Sequence, residues 1–190
     1  MKVLLTLLNL AVAAVFALAL GDAAAQAGPA EDAATLDRLF ADLKTTDDAG
    51  ARAIESDIQR IWSRSGSASM DLLLERGRKA IDQGDAETAI DHLTALTDHA
   101  PDFAEGWNAR ATAYFLAGRY GQSVSDIRHV LALNPRHFGA LAGFGMILEQ
   151  LDRKPQALEV YRAALAIHPH MQAVLEAVKR LETETSGQSI

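Results

Sequence analysis

Six histidines, His92, His99, His129, His137, His168 and His170, are the residues best suited to acid–base or metal chemistry. A helical metal site sets two histidines four residues apart, as in H-E-x-x-H, so that both rings reach one ion. No two of these histidines have that spacing. Most fall near the ends of apolar helical stretches, where an imidazole meets the negative end of the helix dipole. Glu87 and Asp91 share a helix face at i, i+4. That spacing is the pattern of a solvated face. The sequence has no G-x-S-x-G elbow, phosphate loop or dinucleotide fingerprint. It has no cysteine, which removes thiol catalysis, disulfides and cysteine-ligated zinc or iron–sulfur centres. The expectation is a chain that is not an enzyme and holds no metal or cofactor.

Composition narrows the remaining classes. Hydrophobic residues make up 49% of the 190, enough for a buried core and too many for disorder as the main state. The net charge of −7 argues against nucleic acid, whose binding needs a basic face to neutralise phosphates. A protein or peptide partner is expected instead.

The N-terminus reads as an address. Met1–Lys2 precedes an almost wholly apolar run from Val3 to Leu20, and Ala25–Gln26–Ala27 offers the small residues a signal peptidase needs. Residues 1–27 are therefore expected to be a cleaved signal peptide, with the mature chain starting at Gly28. The alternative is an uncleaved inner-membrane anchor over residues 3–20. Its helix would span roughly 27 Å against a ~30 Å hydrocarbon core, so length does not decide. A membrane partner is expected for the anchored case alone. Export without cysteine suits a bacterial periplasm.

The elements that must position any functional residue follow a strict period. Pro101, Pro135 and Pro169 are 34 residues apart. Leu73, Trp107 and Leu141 keep the same phase, as do Gly77, Ala111 and Gly145, and Ala89, Ser123 and Ala157. Leu93, Ile127 and Tyr161 follow, then Leu96, Val130 and Ala164. Apolar residues recur at helical spacing in two stretches per repeat. Gly84 and Gly118 divide the stretches, with Asp152 in the third copy, and the prolines end each second helix. The repeats run over 70–103, 104–137 and 138–171. One such hairpin cannot bury its apolar face alone, so neighbours must stack.

This pattern resembles the tetratricopeptide repeat family. The middle copy matches best, through Trp107, Ala111, Tyr114, Ser123, Ile127, Val130 and Pro135. The resemblance implies an all-α, right-handed superhelical solenoid whose first helices line a concave groove. It places Asp71, Leu74, Arg78 and Ile81 of the first copy on that groove. Glu105, Asn108, Thr112 and Phe115 follow from the second, and Gly139, Ala142, Met146 and Glu149 from the third. Leu74, Phe115 and Met146 are expected as apolar pockets, Arg78 and Asn108 as holders of a peptide carboxylate or backbone. Some of these residues could instead pack against the curved interior. The family's two-carboxylate clamp is incomplete here, because Leu74 and Ala142 stand where it needs lysine.

The flanks complete the expectation. Leu36, Leu39, Phe40 and Leu43, then Ile54, Ile58, Ile61 and Trp62, form an N-terminal helical hairpin over 35–69. It has the shape of a degenerate repeat capping the stack. Residues 28–34 are expected to be disordered. Met171, Val174, Leu175, Val178 and Leu181 make a capping helix over 172–183, and 184–190 a frayed tail. The function this implies is an exported, non-catalytic adaptor or scaffold that binds a peptide or helix in its groove. The alternatives are an accessory subunit of an envelope enzyme or secretion complex, or a self-associating, membrane-tethered scaffold.

Overall fold

Each repeat turns at one residue in the left-handed region. Gly84 and Gly118 have φ of 75° and 70°, and Asp152 holds the equivalent place at 54°. At all three turns the helix closes with a Schellman pair of bonds. The Gly84 and Asp85 amides donate to the Ile81 and Ala80 carbonyls, and the Asp152 and Arg153 amides to those of Glu149 and Leu148. Glycine adopts this conformation without steric cost, whereas an aspartate must tolerate its Cβ.

The computed structural model describes residues 29–187, with side chains over 32–184. Among the described residues there are nine helices. They are α1 (Pro29–Leu43), α2 (Asp48–Trp62), α3 (Ala68–Asp82), α4 (Ala86–His99), α5 (Ala104–Leu116), α6 (Tyr120–Leu133), α7 (Phe138–Gln150), α8 (Lys154–Ile167) and α9 (Gln172–Gly187). Met1–Thr35 and Leu36–Ile190 cluster as separate units. Of the first, Pro29–Thr35 is described and is helical. Over residues 29–34, expected to be disordered, lie the first turns of α1, which Pro29 opens, as a proline favours, and alanines continue. The signal-peptide reading lies outside the described residues. No described helix is long and apolar enough to cross a membrane.

Helices α3–α4, α5–α6 and α7–α8 are the hairpins of an all-α repeat solenoid. Small residues set how closely each pair approaches. A side chain at Gly77 would collide with Leu93, and one at Gly145 with the ring of Tyr161. In the middle hairpin Ala111 and Ser123 are buried, and the Ser123 hydroxyl donates to the Ala111 carbonyl at 2.7 Å. Leu74, Ala80, Ala89, Leu93 and Leu96 join Ala109 and Ala113 in one core that ties α3 and α4 to α5. A polar joint runs beside it. Arg110 donates to both Asp126 oxygens, at 2.7 and 3.0 Å, and to the Thr97 hydroxyl at 2.7 Å. Its guanidinium also lies 4.7 Å from the Trp107 ring centre. Asp126 is buried and Arg110 mostly so, and the pair fixes α4, α5 and α6 in one register.

Two expectations about the flanks change. Helix α9 runs on to Gly187, beyond the expected end at 183, because Glu184 reaches Lys154 at 3.0 Å and pins the last turns. The N-terminal hairpin forms but does not sit on the first repeat. Phe40, Leu43, Ala51 and Ile58 share a core with Phe138, and Ile167 and Met171 pack on it. No hairpin residue belongs to the core of the first repeat. The hairpin therefore covers the corners around residues 136–138 and 167–171. Its apolar stripe, one residue out of phase with the repeats, does not continue the stack.

The Arg110 joint and the Asp152 turn yield three stability predictions. Arg110→Ala should cost about 3–5 kcal/mol in urea unfolding, since it strands the buried Asp126 charge. Replacing both partners, Arg110→Met with Asp126→Leu, should be close to neutral by the same measurement. Asp152→Gly should raise stability by roughly 0.5–1 kcal/mol through relief of the left-handed turn, and would move the thermal midpoint upward.

Candidate binding groove

Helices α5 and α7 face one another across a cleft of ≈ 360 Å³. The cleft exists because α7 presents Gly139, Ala142 and Gly143 where larger side chains would fill the space. Nothing lies within 4 Å of a Cβ built on Gly143. Phe115 forms one wall, braced by Tyr120 at a ring separation of 5.6 Å. Met146 and Leu116 flank the opening and are 47% and 51% exposed, high values for such apolar side chains. Burying them against a partner would be favourable, at about 25 cal/mol per Å² of apolar surface. Asn108 and Thr112 supply the polar edge.

A second, more polar hollow of ≈ 290 Å³ adjoins the first and shares Asn108 and Thr112 with it. Its far wall is Arg78 and Glu105. Arg78 donates to Glu105 Oε1 at 2.6 Å and to the Ser63 hydroxyl at 2.9 Å. The Asn108 amide donates to the same Glu105 oxygen at 3.2 Å. His137 Nε2 lies 3.0 Å from Glu105 Oε2, while its Nδ1 accepts the Ala140 amide at 3.1 Å. An Nδ1 that accepts leaves the proton on Nε2, so His137 donates to Glu105. Burial pushes the Glu105 carboxyl up, but its bonds to His137 and Arg78 outweigh that and hold it below its ordinary range. Glu105 is thus an ionised, fully partnered node.

The structure brings Asn108, Thr112, Phe115 and Met146 together on one cleft, with Gly139 and Ala142. It places the other candidates differently. Leu74 is 2% exposed and belongs to the core, because α3 packs that side chain inward. Arg78 and Glu105 face the polar hollow but are spent on each other. Glu149 turns away from the cleft, accepting from the Tyr161 hydroxyl and the Arg180 guanidinium at 2.7 Å each. Burial and that bond push the Tyr161 phenol well above its ordinary range. Sequence reasoning missed Leu116, Gly143 and Ile147 in the cleft. The glycines and alanines spaced along α7 were its signal, since small residues on an inward face leave room.

The histidines also find places. His129 stacks on Trp107 at 4.3 Å. His137, His168 and His170 lie along the seam with the N-terminal hairpin, where His168 meets Glu55 at 3.3 Å and His170 meets Asp48 at 2.7 Å. Among the described residues no group of three or more potential ligands could hold a metal ion.

Comparison with known proteins agrees with the architecture. A tetratricopeptide repeat family model matches residues 74–127 and 117–171. A TPR repeat-containing protein of Rhizobium etli is 39% identical over 153 residues, which is 80% of this chain and 75% of the relative. Among solved structures, the first TPR of Spaghetti (RPAP3) bound to the HSP90 peptide SRMEEVD superposes with a TM-score of 0.60 at 25% identity, covering 63% of this chain and 98% of that one. The Sgt2 TPR domain of Aspergillus fumigatus gives 0.59 at 19% identity, with 63% and 81% covered. The 34-residue period, the left-handed turns, the small-residue contacts and these matches have one explanation: the chain belongs to the tetratricopeptide repeat family.

Proposed function

We propose that this chain is an exported interaction module of a bacterial cell envelope that holds an extended peptide or helix in the groove between α5 and α7. Membership of a repeat family that serves protein–protein interaction supports the general role. The observation that carries the finer reading is the apolar cleft of Phe115, Leu116 and Met146, with Asn108 at its edge. An apolar side chain of the partner enters that cleft and supplies affinity. The Asn108 amide, already oriented by Glu105, fixes the register of the peptide backbone.

The first TPR of Spaghetti (RPAP3) is bound to the HSP90 peptide SRMEEVD, which is rich in carboxylates. A clamp for such carboxylates needs free cations, and here Arg78 is paired with Glu105 while Leu74 is buried. Recognition in this chain therefore rests on apolar contact. The apolar run of residues 3–20 and the Ala25–Gln26–Ala27 site support export, and the similar protein of Rhizobium etli supports a bacterial setting.

Selection of random peptides on the immobilised chain tests the site. Retained sequences should share a bulky apolar residue, and Met146→Lys or Phe115→Ala should weaken them at least tenfold with unchanged helicity by circular dichroism. Peptides without such a residue, or with equal affinity for both variants, would move the site to another face. Sequencing the N-terminus of the protein recovered from the periplasm should give Gly28; an intact Met1 in the membrane fraction would refute cleavage.

A further inference from the structure

The N-terminal hairpin touches the groove through a continuous chain of side chains. At its C-terminal end Trp62 stacks on the His137 ring at 4.4 Å, with the planes 21° apart. The adjacent Ser63 hydroxyl accepts from Arg78. His137 caps α7 through the Ala140 amide and donates to Glu105. Glu105 in turn orients both Arg78 and Asn108. Ala140 and Asn108 line the apolar cleft. A stacked indole restricts an imidazole to one ring orientation, and that orientation decides which nitrogen meets which partner.

The hairpin is held by the one core it shares with Phe138, Ile167 and Met171 and by polar contacts at the edges of α1 and α2. Phe40 packs edge-on against Phe138 at 6.5 Å and lies under the Arg136 guanidinium at 4.5 Å. At the other end Asp48 meets His170 and Gln172. The exposed polar contacts of this seam, the Arg136–Asp37 ion pair and the His170–Asp48 hydrogen bond, contribute little individually. The connection to the first repeat, Ser63–Ser67, contains Gly66 at φ 81° with nothing within 4 Å of its Cβ position. Ser65 ties this link to α3 through Asp71, at 2.8 and 2.6 Å, so the core of α3 to α5 keeps its own anchor when the hairpin leaves at Trp62–Ser63.

We propose that residues 36–62 are a releasable strap whose docking on the corners of the array sets the groove's polar wall through Trp62, His137 and Glu105. Docked, the strap orders the α7 cap and the Asn108 amide. Released, it frees both. Occupancy of the groove and docking of the strap are then coupled, and each changes the other by the same factor. That consequence rests on the groove reading, whereas the strap itself is testable without any partner.

Amide exchange followed by NMR on the purified chain tests it. Phe40→Ala removes the strap's packing on Phe138 and on Trp62 while leaving Trp62 itself in place over His137, and Asp48→Lys loosens the opposite, exposed end. Either should speed exchange of amides in 48–62 and, with them, raise exchange of the Ala140 amide and the Asn108 side-chain amide at least tenfold. Trp62→Ala should do the same, and Trp62→Phe, which keeps a ring over His137, should retain the protection. Faster exchange in the strap with Ala140 and Asn108 unchanged would overturn the coupling. No response of the strap to any of these substitutions would overturn its release, even if the groove binds peptides as proposed.

Discussion

Gly77 lies against Leu93 and Gly145 against the Tyr161 ring, and no other residue fits at either place. Everything else in the array depends on this close approach of paired helices. It lets each hairpin present an apolar face that one neighbour can cover, and so makes stacking the way to remove that face from water. In the middle repeat alanine and serine do the same work, with the serine hydroxyl satisfied by a helix carbonyl in place of a dry contact.

Stacking brings α5 beside α7, and their composition then decides what the groove is. Helix α7 has spent its inward positions on glycine and alanine, so the space opposite Phe115 stays open. The neighbouring hollow is polar because Glu105 is buried there between the Arg78 guanidinium and the His137 ring, both of which donate to it. One node thus separates an apolar compartment from a polar one. It also connects the groove to a hairpin more than forty residues earlier in the chain, through His137 and Trp62.

Much of this was legible in the sequence. The period fixed by Pro101, Pro135 and Pro169 specifies the helix pairs, because a proline and a left-handed residue at constant spacing leave little choice of turns. Asn108, Thr112, Phe115 and Met146 could be placed on one cleft from repeat position alone. Leu74 could not be placed, since position says which way a side chain leaves its helix but not whether a neighbour covers it. Repeat position put Glu149 and Arg78 on the groove but could not show their ion pairs, because the partners Arg180 and Glu105 come from other helices. The docking of the N-terminal hairpin was illegible because its apolar stripe would fit several surfaces equally well. The histidines beside Pro135 and Pro169 marked the true seam, but their role depends on Trp62, Glu55 and Asp48, which lie far away in sequence.

Because the chain has no cysteine, one introduced thiol can report on one face. The most direct measurement places a benzophenone photocrosslinker on Thr112→Cys at the groove and, separately, on Arg128→Cys at an exposed position of α6, and irradiates each in an envelope extract of the source cell. The account predicts a crosslinked partner protein from the Thr112 position and none from the Arg128 position. A partner captured from Arg128 and not from Thr112 would contradict it.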